Sequence, residues 1–160
     1  MYDIEKFKPV VHYEKFKQMY DAAINKLCDE IGNYSEHKVQ AIDFHKESCV
    51  FDKTILIYKR KDEIIGFCMY VSVDEYNVFI VLDYVSNKFL GAGRSCREKV
   101  FYYFKDKCAE LKFVIHAKNH LSKNSIKRLE QLDYLKEDGA YLEVLNDDGF
   151  SDKIEYTVIY

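Results

Sequence analysis

The sequence predicts one α+β domain over residues 1–160, a twisted, mostly antiparallel sheet of about six or seven strands flanked by helices. Three observations predict it. Runs rich in β-branched and aromatic residues alternate with runs whose apolar residues recur at helical spacing, in the order β-α-(α)-β-β-β-α-β-α-β-β. No repeat, low-complexity tract or Pro/Gly/Ser linker divides the chain, and 160 residues with 48% hydrophobic side chains are enough to bury a sizeable core. A glycine turn, Lys88-Phe89-Leu90-Gly91-Ala92-Gly93-Arg94, separates the most strand-like run from a helical one.

Taken in order, the start around Pro9, residues 7–11, reads as an edge strand, where proline is tolerated. Tyr13, Phe16, Tyr20, Ile24, Leu27 and Ile31 recur every three or four residues and predict an amphipathic helix, which Gly32-Asn33 ends. Residues 34–52 are irregular, with a short helix near 36–42. Residues 54–58 and 64–73 read as strands joined by the charged turn 59–63, and 76–85 completes an antiparallel meander. A helix from Arg94 to Leu111 follows, with Cys96, Val100, Phe104, Cys108 and Leu111 on its inward side. Residues 112–117 form a strand, and 122–132 a helix with Ile126, Leu129 and Leu132 inward. Residues 141–145 and 154–159 alternate as two final strands around a turn-rich segment.

Composition excludes several partners. A net charge of −3 gives no long-range attraction to nucleic acid or anionic lipid. The basic stretches Lys59-Arg60-Lys61 and 123–128 read as a solvated turn and an exposed helix face. No apolar run approaches the roughly 20 residues needed to span a bilayer. The first residues, Met-Tyr-Asp-Ile-Glu-Lys, lack the apolar segment of a signal peptide, so the cytoplasm is the expected compartment. Five scattered cysteines without Cys-x-x-Cys spacing read as reduced core thiols, not as a disulfide framework or a zinc site.

The glycine turn carries the functional signal. A helix that starts after glycine leaves its first N–H groups without intrahelical partners, and they point outward at the positive end of the helix dipole, ready for phosphate. The spacing fails the dinucleotide fingerprint, since Cys96 stands where Gly or Ala is needed, and it fails the P-loop, since no Gly-Lys-Ser/Thr follows. It resembles the coenzyme A loop of the GNAT (general amine N-acetyltransferase) superfamily, which reads Arg or Gln, two residues, Gly, one residue, Gly or Ala. Lys88, Gly91 and Gly93 stand at those places. A second stretch is similar to another GNAT signature: Asn119 leads through Asn124 and the small Ser125 to a helix ending in Asp133-Tyr134, where relatives carry Gly-Phe. The order of elements matches that fold along the whole chain. Three departures stand out: Leu129 at the place of the family's usual tyrosine acid, Ser122 at the place of an Asn, and no proline before the glycine turn.

The resemblance implies acetyl-CoA as cofactor. Its pantetheine arm would pair as a pseudo-strand with the fourth strand around Leu82, Tyr84 and Val85. The amides of Phe89, Leu90, Gly91, Ala92, Gly93 and Arg94 would hold the pyrophosphate, with Lys88 and Arg94 placed to add charge, Arg94 reading equally as a solvated first-turn residue. Asn119, Asn124 and Ser125 would complete the cofactor set. Acetyl transfer requires a neutral amine, a donor for the developing oxyanion and a proton for the departing thiolate. Asp83 is the candidate base, although its place on a half-exposed strand favours an outward-facing residue over that role. Tyr134 and Tyr141 are the candidate acids, although a buried core phenol is the favoured reading for both. His116 and His120 flank the exit of the fifth strand. The implied function is direct acetyl transfer to an amine on a small molecule or a protein. The alternative is a GNAT-like module that binds coenzyme A or a protein partner without turnover. Either fits a monomer or a homodimer paired through the strand that ends at Tyr160.

Overall fold

The computed structural model describes residues 2–31, 54–86, 88–89, 91–116, 124, 126–127, 139–151 and 153–160. Seven strands form one sheet in the order β1-β2-β3-β4-β5-β7-β6. The chain divides into two compact units, Met1–Val71 with Val81–Leu90, and Ser72–Ile80 with Gly91–Tyr160, so that β4 gives its second half to the first and its first half to the second.

The first unit holds β1 (Tyr2–Lys6), α1 (Pro9–Ile31), β2 (Thr54–Arg60), most of β3 (Glu63–Ser72) and the end of β4 (Asn77–Val85). β1 pairs antiparallel with β2, and β2 with β3. Phe16, Met19 and Ala23 recur along one face of α1 and pack into a buried cluster with Ile55, Ile57, Phe67 and Met69. Register explains the strand members, because Ile55 lies opposite Met69 and Ile57 opposite Phe67, so all four point to one side. Phe16 and Phe67 meet edge to face at 5.0 Å.

Two expectations for this unit are corrected. Residues 7–11 are not an edge strand: β1 precedes them and Pro9 is the first residue of α1. Proline suits that position because its fixed φ is already helical and no donor is needed there. The helix also buries His12 (2% exposed), while Tyr13 remains half exposed. Burial of His12 is offset by hydrogen bonds: Nδ1 accepts from the Lys8 N–H at 2.8 Å, and Nε2 is 2.7 Å from Glu5 Oε1. The contact with Glu5 ties α1 to β1.

The second unit holds the start of β4, α2 (Ala92–Phe104), β5 (Glu110–His116), β6 (Tyr141–Leu145) and β7 (Lys153–Ile159). β7 pairs antiparallel with both β5 and β6. Phe101 of α2 lies 5.7 Å from Phe113, which stacks on Tyr156 at 5.3 Å, and the Tyr160 hydroxyl donates to the Phe101 carbonyl at 2.6 Å. In the turn from β3 to β4, Asp74 Oδ1 accepts from the Tyr76 and Asn77 N–H groups.

The helix expected over 94–111 begins earlier, at Ala92, and ends at Phe104. Leu111 belongs to β5, which starts at Glu110, ahead of the expected 112. The apparent period is a coincidence of spacing: the chain turns after Phe104, where the Lys107 and Cys108 N–H groups both bond the Phe104 carbonyl. The expected short helix at 36–42 lies outside the described residues, as does most of the expected helix 122–132, of which Asn124, Ile126 and Lys127 are helical. No helix among the described residues is long and apolar enough to cross a membrane.

Candidate functional site

The candidate site is built on the last residues of β4 and the turn that leads from them into α2. β4 and β5 run parallel and pair at Asn77↔Glu110, Val78↔Leu111 and Phe79↔Lys112. The ladder then stops, although β4 continues to Val85 and β5 to His116. Residues 82–85 therefore lie beyond the last β5 pair of their strand.

Within the first unit, Leu82 and Tyr84 pack against the cluster under α1, with the Tyr84 ring 6.0 Å from Phe67. On β3, Gly66 lies against this end of β4. A Cβ at that position would run into the Tyr84 carbonyl oxygen and lie 3.0 Å from Val85 Cα and 3.1 Å from the Tyr58 ring. The register between β2 and β3 shifts at the same level, between Tyr58 and Lys59, and the Ser86 N–H donates to the Ile65 carbonyl at 2.8 Å. A bulge and a glycine thus let β4 approach β3 closely as it ends.

Asp83 is half-buried, and its Oδ1 accepts a 2.6 Å hydrogen bond from the hydroxyl of Tyr58, a side chain with no exposed surface. Asp83 is therefore not a plain outward-facing strand residue. Sequence reading missed Tyr58, which sits in an apolar run 25 residues earlier and is brought to Asp83 only by the pairing of the strands.

The turn after β4 is held by the Phe89 N–H donating to the Ser86 carbonyl at 3.2 Å. Lys88 is exposed, Phe89 is half-buried, and Leu90 lies outside the described residues. In the second unit, Gly91 caps α2 in the left-handed conformation (φ 78°, ψ −7°) and supplies no side-chain cap. The N–H groups of Ala92, Gly93 and Arg94 belong to the first turn, whose donors have no intrahelical acceptor. That turn carries no acidic residue. Ala92 is buried and Arg94 exposed. Gly93 is a helical residue and not part of the turn, and a Cβ there would meet nothing within 4 Å. An anion at this end would find aligned main-chain donors, a favourable dipole and open space at residue 93.

The remaining candidates are scattered. Tyr141 is 53% exposed on β6, opposite Ile159, and is therefore not a buried core phenol. Asn124 is helical and exposed, while Asn119, Ser125, Tyr134 and His120 lie outside the described residues. Cys96 is buried on α2, and burial pushes the Cys108 thiol up to about 11, so both thiols pack instead of reacting. Arg60, the last residue of β2, places its guanidinium carbon 5.8 Å from the centre of the Phe89 ring.

No protein-family profile matches the chain, and no curated protein matches it either. Solved structures match it end to end. The PaiA N-acetyltransferase of Thermoplasma acidophilum, in complex with coenzyme A, superposes with a TM-score of 0.69 at 15% identity, covering 100% of this chain and 99% of that one. A GNAT family acetyltransferase from Elizabethkingia anophelis with acetyl-CoA bound gives 0.60 at 16%, covering 99% and 98%. The Campylobacter jejuni N-acetyltransferase PseH gives 0.61 at 15%, covering 99% and 97%. The chain has the GNAT fold, as its element order and glycine turn led us to expect.

Proposed function

We propose that this protein is an acetyl-CoA-dependent N-acetyltransferase that moves the acetyl group directly to an amine, residues 1–160 acting as one domain. The observation that carries the reading is the start of α2: a left-handed glycine cap without a side-chain acceptor, followed by a first turn with no acid and no Cβ at residue 93. Those features fit a diphosphate bound through main-chain N–H groups. Bound there, acetyl-CoA supplies an acetyl group activated as a thioester. Leu82, Tyr84 and Val85 offer main-chain groups for the pantetheine arm, and a β4 amide is the donor for the oxyanion. The amides of residues 89–94 hold the diphosphate, and Lys88 and Arg94 add charge-assisted contacts. Asn119, Asn124 and Ser125 complete the cofactor set by resemblance.

Asp83 is the proposed base, taking the proton of the incoming amine while Tyr58 fixes one of its oxygens. Tyr134 and Tyr141 are the phenols proposed to protonate the departing thiolate. The acceptor is an amine on a small molecule or a protein, with no role for nucleic acid or membrane, and the protein acts in the cytoplasm as a monomer or homodimer. One sequence observation, Leu129 at the place of the family's tyrosine acid, favours a second reading, a coenzyme A-binding module without turnover.

Calorimetry with acetyl-CoA tests the binding shared by both readings, and absence of heat from a folded sample overturns them. Acetyl-CoA hydrolysis followed as free thiol, then a screen of amines for a 42 Da mass gain on roughly the acetyl scale, tests turnover. Binding without either signal leaves the module as the reading.

A further inference from the structure

The β2 row that meets Asp83 continues past it. Side chains of a strand alternate between faces, which puts Leu56, Tyr58 and Arg60 on one side and Ile55, Ile57 and Lys59 on the other. The second set faces α1: Ile55 and Ile57 join its cluster, and Lys59 Nζ lies 3.5 Å from the Glu5 carboxylate that also holds His12. In the first set, Tyr58 reaches Asp83 and Arg60 reaches Phe89. β2 therefore presents a hydrogen-bond donor to the carboxylate of β4 and a cation to the turn that follows it.

That turn is fixed to the same part of the sheet. The Ser86 N–H bonds the Ile65 carbonyl of β3, and the Phe89 N–H bonds the Ser86 carbonyl. Lying over the Phe89 ring holds the guanidinium in place without consuming its N–H donors, and such a fork matches the oxygens of a phosphate. The exposed Lys88 precedes Phe89 and adds a second positive charge to the turn. Two carboxylates neighbour Arg60 in its hairpin, Asp62 in the turn and Glu63 opposite it in register, so the cation does not stand in an unopposed basic field.

We propose that Arg60 is a phosphate-binding residue for the nucleotide end of acetyl-CoA, reaching it from the β2–β3 hairpin. This rests on the reading above that the turn ahead of α2 holds the cofactor's diphosphate. Arg60 lies outside every stretch that resembles the coenzyme A loop, and its sequence context alone reads as a solvated turn.

The test is calorimetric titration of coenzyme A and of 3′-dephospho-coenzyme A into the wild-type protein, Arg60→Gln and Arg60→Lys, at several salt concentrations. Arg60→Gln is expected to bind coenzyme A about tenfold more weakly, with a shallower dependence of affinity on salt, and Arg60→Lys to recover part of the loss. If the tenfold ratio persists with the dephospho ligand, Arg60 contacts the diphosphate; if it vanishes, the ribose phosphate is the contact. Equal affinity of Arg60→Gln and wild type overturns the proposal, and so does a loss with an unchanged salt dependence, which marks a packing role. Absence of binding to the wild-type protein overturns the cofactor reading itself, and this proposal with it.

Discussion

Gly66 on β3, in the first unit, and Gly91 at the head of α2, in the second, differ in what makes each a glycine. A Cβ on Gly66 would strike the main chain of β4 at Tyr84 and Val85, so the position is closed by its neighbours. A Cβ on Gly91 would meet nothing within 4 Å, and it is the backbone angle, φ 78°, that disfavours a side chain there. Gly66 is set by close packing against a strand; Gly91 is a helix start with open space around it. The contrast separates a loss of stability that comes from displaced packing from one that comes from backbone strain.

The largest effect is expected at Gly66. In Gly66→Ala the β4 main chain must shift, at a cost of about 3 kcal/mol, read as a lower urea midpoint with an unchanged slope. A wild-type midpoint would show that β4 does not pack this closely. Gly91→Ala is expected to cost about 1–2 kcal/mol, because the left-handed angle is retained against the new Cβ. Asparagine at 91 should lose less, and equal losses for Ala and Asn would contradict the conformational explanation.

Tyr58→Phe removes the donor to Asp83 at a cost of about 1 kcal/mol. If Asp83 is the base, Asp83→Asn abolishes turnover, and Tyr58→Phe lowers kcat while the affinity for acetyl-CoA is kept. A Tyr58→Phe protein with an unaltered kcat would reduce the pair to a structural contact.

The smallest effect concerns acid stability. For Glu5, burial raises the pKa, but the hydrogen bond with His12 and the charge and hydrogen bond of Lys59 outweigh it and hold the group below its usual value. A carboxylate depressed in the folded state stabilises the fold above its unfolded pKa and loses that contribution as pH falls through the folded one. Stability should therefore decline below about pH 4.5, the ordinary value of the group. Glu5→Gln should flatten part of the decline, to which the exposed Asp74 and Asp148, also held low by hydrogen bonds, contribute as well.

What the sequence makes legible follows the same division. β2, β3, β4, β6 and β7 announce themselves because their runs of Ile, Val, Tyr and Phe are bounded by charged or turn residues, and each lies within two residues of its expected limits. Gly91 is legible because a glycine between a strand and a helix has a local reason to be there. The misreadings arise where one residue admits two local meanings. Pro9 suits both an edge strand and the first turn of a helix, and Cys108 and Leu111 continue a helical period across a turn. Tyr58 to Asp83, Arg60 to Phe89 and Gly66 against Tyr84 were not legible at all. Each joins β2 or β3 to β4 or the turn after it, and depends on a register that no local pattern states.

The central claim is that the first turn of α2 binds a diphosphate through its main chain. Gly93 offers the most direct test, since it is already helical and a side chain there meets nothing in the protein. Gly93→Leu should leave the protein folded and as much as about 1 kcal/mol more stable, because leucine favours a helix over glycine. Calorimetric affinity for acetyl-CoA should fall at least tenfold in the same sample, because the side chain obstructs the approach to the amides. Undiminished acetyl-CoA affinity in a folded Gly93→Leu protein would contradict the account.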